Sequence, residues 1–141
     1  MDRANEKLMV AERACATLTG LLSAPQGDPV VMRDAAILRF IYSFETAWKA
    51  AQAILAKFES IEAATPRLVV QSCWKANILA EHQADALLKM ITDRNLTVHA
   101  YDETLAIELV RRIPDHAAQI TAWLAALRDR LTRSAFPTKL H

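Results

Sequence analysis

Arg94, Asn95, His99 and Tyr101 fall within eight consecutive residues, Arg94-Asn95-Leu96-Thr97-Val98-His99-Ala100-Tyr101. A permanent cation, an amide, an imidazole and a phenol so close together suit phosphodiester cleavage without a metal. In that reaction a 2′-hydroxyl loses a proton, a leaving oxygen gains one, and negative charge builds on the phosphorane oxygens between them. Histidine exchanges protons near neutral pH. Arginine offers a fixed fork of donors to phosphate oxygens, and Asn95 could orient either partner. The plainer reading of the same residues is an Arg near a helix end paired with a carboxylate such as Asp93 or Asp102, beside an ordinary solvated His.

On an unbroken helix Asn95 and His99 share a face, whereas Arg94 lies about 140° from His99 at ~100° per residue. Arg94 joins them through its long side chain, a kink or a second subunit. Asn, Thr and Val are weak helix formers, so Asp93 to His99 is expected to be irregular or kinked. The rest of the chain has no His-Glu-x-x-His, no paired Glu-x-x-His, no Gly-rich phosphate loop and no nucleophile elbow. His82, His99, His116 and His141 lack ligand spacing, so no metal site and no cofactor are expected.

The elements that carry this segment read as helices. With 141 residues, 2 Gly and 5 Pro, the chain suits one all-α domain over 1–141 and leaves too few turn signals for a β-sandwich or a Rossmann domain. Leu8, Ala11, Cys15, Leu18 and Leu22 form one stripe, ending before Ser23-Ala24-Pro25-Gln26-Gly27. Asp28-Pro29 opens a second helix reaching about Phe58, ~45 Å long, with Ile37, Ile41, Phe44, Trp48, Ala51 and Leu55 on its seam and Phe40, Ala47, Ile54 and Phe58 beside it. Thr65-Pro66 opens a third, through Leu68, Val69, Cys73 and Ala76. A fourth carries Ala84, Leu87, Leu88 and Ile91. Asp102 is placed to cap the last, striped by Leu105, Leu109, Ile113, Ile120, Leu124, Leu127 and Leu131, with Pro114 expected to bend it. Residues 132–141 read as a loose tail. An up-and-down bundle of four to five helices results, and its aromatic seams, wider than one partner covers, suggest a homodimer or hetero-oligomer.

Composition narrows the setting. Cys15 and Cys73 are isolated, which suits a reduced compartment and buried thiols. No stretch matches the ~18–20 apolar residues of a bilayer span, so a cytoplasmic location and no membrane partner are expected. A net charge of +1 gives no overall field for nucleic acid. Arg111, Arg112, Arg128, Arg130, Arg133 and Lys139 cluster late and read as a solvated face and tail.

Three blocks then resemble the HEPN superfamily, in the branch called HepT or nucleotidyltransferase substrate-binding-like proteins. They are Arg33-Asp34-Ala35-Ala36-Ile37-Leu38-Arg39-Phe40 with Phe44-Glu45-Thr46-Ala47-Trp48-Lys49; Thr65-Pro66-Arg67 with Trp74-Lys75-Ala76; and Asp93 through Glu103, which holds the Arg-x4-His-x-Tyr spacing. Ile41 stands where the family commonly has an acidic residue, and Asn77 where a glycine is usual. The resemblance implies a dimerising bundle with two copies of the motif in a cleft between subunits. It implies a toxin that is a metal-independent endoribonuclease, neutralised by a minimal nucleotidyltransferase (MNT) antitoxin. Arg94 would then stabilise the scissile phosphate, His99 would move protons, Asn95 would position them, and Tyr101 would accept AMP from the partner. The alternative is a non-catalytic subunit that binds substrate for, or scaffolds, a nucleotidyltransferase; a third is a structural dimer whose motif only stabilises its interface.

Overall fold

Short polar side chains set where four of the five α-helices begin in the computed structural model, which describes residues 2–135. Asp2 Oδ1 accepts the Ala4 N–H at 3.0 Å and opens α1, Arg3–Ser23. Asp28 Oδ1 accepts the Val30 N–H at 3.0 Å, with Pro29 in the first turn of α2, Pro29–Phe58. Thr65 Oγ1 accepts the Leu68 N–H at 3.2 Å and opens α3, Pro66–Lys75. Then come α4, Glu81–Leu96, a 3₁₀ turn over Thr97–His99, and α5, Glu103–Ala135. The turn between α1 and α2 uses Gly27 at φ +92°, a conformation open mainly to glycine.

Asn77 explains one departure from the family pattern. Its φ is +61°, and the N–H groups of Asn77 and Ile78 return to the carbonyls of Trp74 and Cys73 at 3.0 and 2.8 Å. This pair of bonds closes α3 with a left-handed residue, where glycine is preferred and Asn is the common substitute.

Helices α1 and α2 form a hairpin, tied at its open end by Lys57 Nζ to Asp2 at 2.8 Å, and α5 packs against both. Helices α3 and α4 form a second hairpin, α3 on α2 and α4 on α5. The seams read from the sequence meet in the middle: Leu8 and Leu18, Phe40, Phe44, Ile54 and Leu55, Leu87, Ile113, Ile120 and Leu127 are all fully buried, as are Met90 and Trp123 outside the stripes named above. Each large side chain buried this way stabilises the fold by roughly 1.5–3 kcal/mol. Ile41, Trp48 and Phe58 are only half-buried, at the edge of that core.

Helix α5 runs without a break through Pro114, forgoing one bond to the Val110 carbonyl. Two expectations change. The helix also continues over residues 132–135, where a loose tail was expected, with Arg133 paired to Asp129 one turn earlier at 3.2 Å. Residues 136–141, including Lys139 and His141, lie outside the described residues. Finally, three of the late arginines also brace other parts of the fold. Arg128 forks onto Glu12 at 2.7 and 3.1 Å and reaches Asn5, Arg130 bonds Glu59 and the Phe58 carbonyl, and Arg112 reaches α4. Arg111, Arg112 and Arg133 are nonetheless exposed, as expected.

Candidate active site at the end of α4

The α4 terminus is built by the weak helix formers that the sequence places there. Thr97 Oγ1 donates to the Arg94 carbonyl at 2.6 Å, an alternative to a helical bond. The Ala100 N–H bonds the Thr97 carbonyl at 3.1 Å and the Asp102 N–H the His99 carbonyl at 3.0 Å, which winds the chain into a tight 3₁₀ turn. Asp102 then caps α5, its Oδ1 accepting the Leu105 N–H at 3.3 Å. The expected irregularity is therefore one ordered turn.

That turn separates Arg94 from the other three polar residues. Arg94 points to α2, where Glu45 Oε1 accepts its Nε–H at 2.7 Å, and its Nη1 donates to Thr97 Oγ1 at 3.3 Å. Glu45 Oε2 accepts the Trp48 indole N–H at 3.1 Å, so one carboxylate fixes both a guanidinium and an aromatic ring. The acid that pairs with Arg94 is thus neither Asp93 nor Asp102 but one 49 positions away. The Arg94 side chain still keeps 24% of its surface in solvent. Asn95 and His99 are exposed. Tyr101 is 85% exposed, its ring meeting that of His99 edge to face at 6.1 Å between centroids.

Tyr101 also borders an open groove of about 390 Å³ lined by Asp34, Ile37, Leu38, Ile41 and Ala100. Ile41, standing where the family commonly has an acid, supplies an apolar wall there. Leu38, Tyr42 and Val98 near the motif are large apolar side chains left exposed at 46, 46 and 65%.

Sequence reasoning missed a second set of charges directly behind Arg94. Asp93 is 7% exposed and takes a bidentate Arg112 at 2.7 and 2.9 Å and His116 Nε2 at 2.7 Å. Burial alone raises its carboxyl pKa, but the hydrogen bonds from Arg112 and His116 outweigh that and hold it below the usual carboxylate value. His116 stacks on Phe40 at 5.2 Å, which locks the cluster to α2 as well. The signal in the sequence was an acid in the last turn of a helix facing Arg112 and His116, four apart on another. Their mutual approach depends on the α4–α5 packing.

Both cysteines are buried. Burial pushes the Cys73 thiol up to about 12, with the Trp123 indole only partly opposing it. Among the described residues no group of three His, Cys, Asp or Glu is arranged to hold a metal ion, and no helix is long and apolar enough to cross a membrane.

Comparison with known proteins follows this geometry. Residues 6–129 match the family described as nucleotidyltransferase substrate binding protein like. A crystal structure from Thermus thermophilus is 44% identical, with a TM-score of 0.77 over 84% of this chain and 98% of that one. A tri-AMPylated Shewanella oneidensis HEPN toxin, solved in complex with MNT antitoxin, superposes with a TM-score of 0.73 at 17% identity, over 92% of this chain and 99% of that one. A toxin–antitoxin structure with AMP-PNP gives 0.71 at 17% identity, over 90 and 99%. No curated protein matches the chain.

Proposed function

Because the chain belongs to the nucleotidyltransferase substrate-binding-like family and has the fold of a HEPN toxin, we propose that it is the toxin of a toxin–antitoxin pair and cleaves RNA at the α4 terminus. One observation carries this reading: Glu45 fixes Arg94 while that side chain stays partly open to solvent, on the same terminal segment as an exposed His99. Arg94 meets the scissile phosphate through its free edge and stabilises the charge that builds in the phosphorane. The 2′-oxygen attacks phosphorus and gives up its proton, the 5′-oxygen leaves and takes one, and His99 is the group that moves them. Asn95 positions the reacting groups. A cyclic phosphate and a 5′-hydroxyl result, with no step that calls for a metal.

Two proton transfers per turnover suit two imidazoles. A homodimer that covers Leu38, Tyr42 and Val98 would bring a second His99 to the same cleft and bury apolar surface that one chain leaves in water. The working location is then the cytoplasm, where RNA and the partner are found.

Tyr101 is the residue through which an MNT-type antitoxin would silence the toxin. Its phenol oxygen, fully reachable at 85% exposure, attacks the α-phosphorus of ATP, and pyrophosphate leaves. The new phosphate lies next to His99 and within the field of Arg94, and it occupies the place of the RNA phosphate. The AMPylated state of the Shewanella toxin supports this role.

A second reading is a non-catalytic subunit that binds substrate for a nucleotidyltransferase. The Arg94–Glu45 pair favours it, since a guanidinium already matched by a carboxylate attracts a phosphate less strongly. Incubating the purified chain with RNA in the presence of chelator separates the two. Fragments ending in cyclic phosphate support the nuclease, and intact RNA supports the silent subunit.

A further inference from the structure

From the groove between α1 and α2, we infer that Arg3, Lys7 and Lys49 form a phosphate track that holds single-stranded RNA on its way to Arg94. The inference takes only the identity of the polymer from the ribonuclease reading; the groove itself is independent of the α4 terminus.

The groove is open, about 330 Å³, and is lined by Arg3, Glu6, Lys7, Val10, Thr46 and Lys49. Seven of the described cations, among them Arg94, Arg112 and Arg128, are engaged in ion pairs within the fold. Arg3, Lys7 and Lys49 have none, and they converge on one cleft that contains a single acid, Glu6. Unpaired like charges gathered on one surface repel one another, so the arrangement favours a bound polyanion. Arg3 and Lys7 are four apart on α1 and share a face.

The placement of Lys49 connects this groove to the site. It lies one turn beyond Glu45 on the same side of α2, about 6 Å along the axis, and the charge of Glu45 is already taken up by Arg94. Its ammonium sits 6.0 Å from the centroid of Trp48, the ring that Glu45 also holds. A groove of cations with an aromatic ring at its edge suits a single strand, phosphates on the former and a base on the latter. The track also reconciles a chain of net charge +1 with a polyanionic substrate, because the local charge of the groove is what the strand meets.

The test measures binding apart from cleavage. A fluorescent uridine oligonucleotide is titrated by anisotropy, over a range of salt, onto the full chain carrying His99→Ala. The triple change Arg3→Ala, Lys7→Ala, Lys49→Ala is compared with a control triple on other surfaces, Arg13→Ala, Lys75→Ala, Lys89→Ala. We expect the groove triple to weaken binding by about tenfold and to flatten the salt slope by about 2, at ~0.7 per phosphate on single strands, with the control near the parent. Equal affinity of groove triple and parent overturns the track, as does a parent that binds no oligonucleotide. Normal RNA binding by the groove triple with loss of its complex with the nucleotidyltransferase also overturns it, making the groove a protein interface. Groove-dependent binding by a wild-type chain that leaves RNA intact keeps the track and discards the nuclease reading.

Discussion

Glu45 Oε1 lies 2.7 Å from Arg94 Nε across the α2–α4 interface, and the same carboxylate takes the Trp48 indole N–H at 3.1 Å. The pair sets the direction of the guanidinium before any substrate arrives. With Nη1 turned to Thr97 Oγ1, Nη2 is the part of Arg94 left to meet a phosphate in the proposed reaction, the kind of preorganisation that transition-state stabilisation needs. In the proposed reaction Glu45 is a positioning residue, and its behaviour separates catalysis from simple charge neutralisation.

Glu45→Gln removes the charge and keeps one acceptor oxygen, enough for Arg94 or Trp48 but not for both, since Glu45 gives each a different oxygen. Cleavage kinetics should show kcat lowered by about tenfold, ~1.4 kcal/mol in the barrier, with KM nearly unchanged. Glu45→Ala, which loses the geometry as well, should fall further. Equal activity in all three chains would show that Arg94 needs no orientation.

Asp93→Asn should destabilise the fold by about 1.5–3 kcal/mol, the scale of hydrogen bonds to a charged group, measured by urea unfolding. The sign with pH follows from the depressed carboxyl. Asp93 contributes stability above the unfolded carboxylate value of about 3.9, and that contribution disappears as pH falls through the lower folded value. The gap between wild type and Asp93→Asn should be full at pH 7 and narrow below about pH 4. The groups facing Asp93 in the cluster are Arg112 and His116, both from α5. A gap that widens in acid would mean the cluster is held by something else.

The seams and caps of this fold were legible because they are local. Helical spacing placed Phe40, Phe44, Leu109 and Ile113 in the core, and Asp28-Pro29 and Thr65-Pro66 marked starts that the backbone hydrogen bonds repeat. Asn77 was noticed as a departure, and its positive φ supplies the reason. The pairs that matter most to the site join residues far apart in sequence, Arg94 to Glu45 and Asp93 to Arg112 and His116, and no periodicity reports a partner on another helix. Arg94 had three possible routes to its neighbours, and the 3₁₀ turn of Thr97–His99 with the reach to α2 became visible only with the packing.

Both thiols should be inert. Burial raises Cys73 to about 12 and Cys15 above its ordinary value, so a chromogenic disulfide at pH 8 should react with neither in the folded chain and with both in denaturant. Rapid reaction of Cys73 in native buffer would contradict its place beneath Trp123.

Tyr101→Phe should abolish labelling by the partner nucleotidyltransferase with ATP, read as loss of nucleotide mass increments on the intact chain, while RNA cleavage persists. Labelling of Tyr101→Phe to the wild-type extent would move the acceptor elsewhere.

The central claim is that Arg94 and His99 act on one phosphodiester, and the direct measurement is the single-turnover cleavage rate of RNA by purified wild type, Arg94→Ala and His99→Ala in chelator, with helix content followed by circular dichroism. The account predicts cleavage by wild type and a loss of at least about a hundredfold in each variant, the scale of one general acid–base group, at unchanged helicity. Cleavage that survives in both folded variants would contradict it.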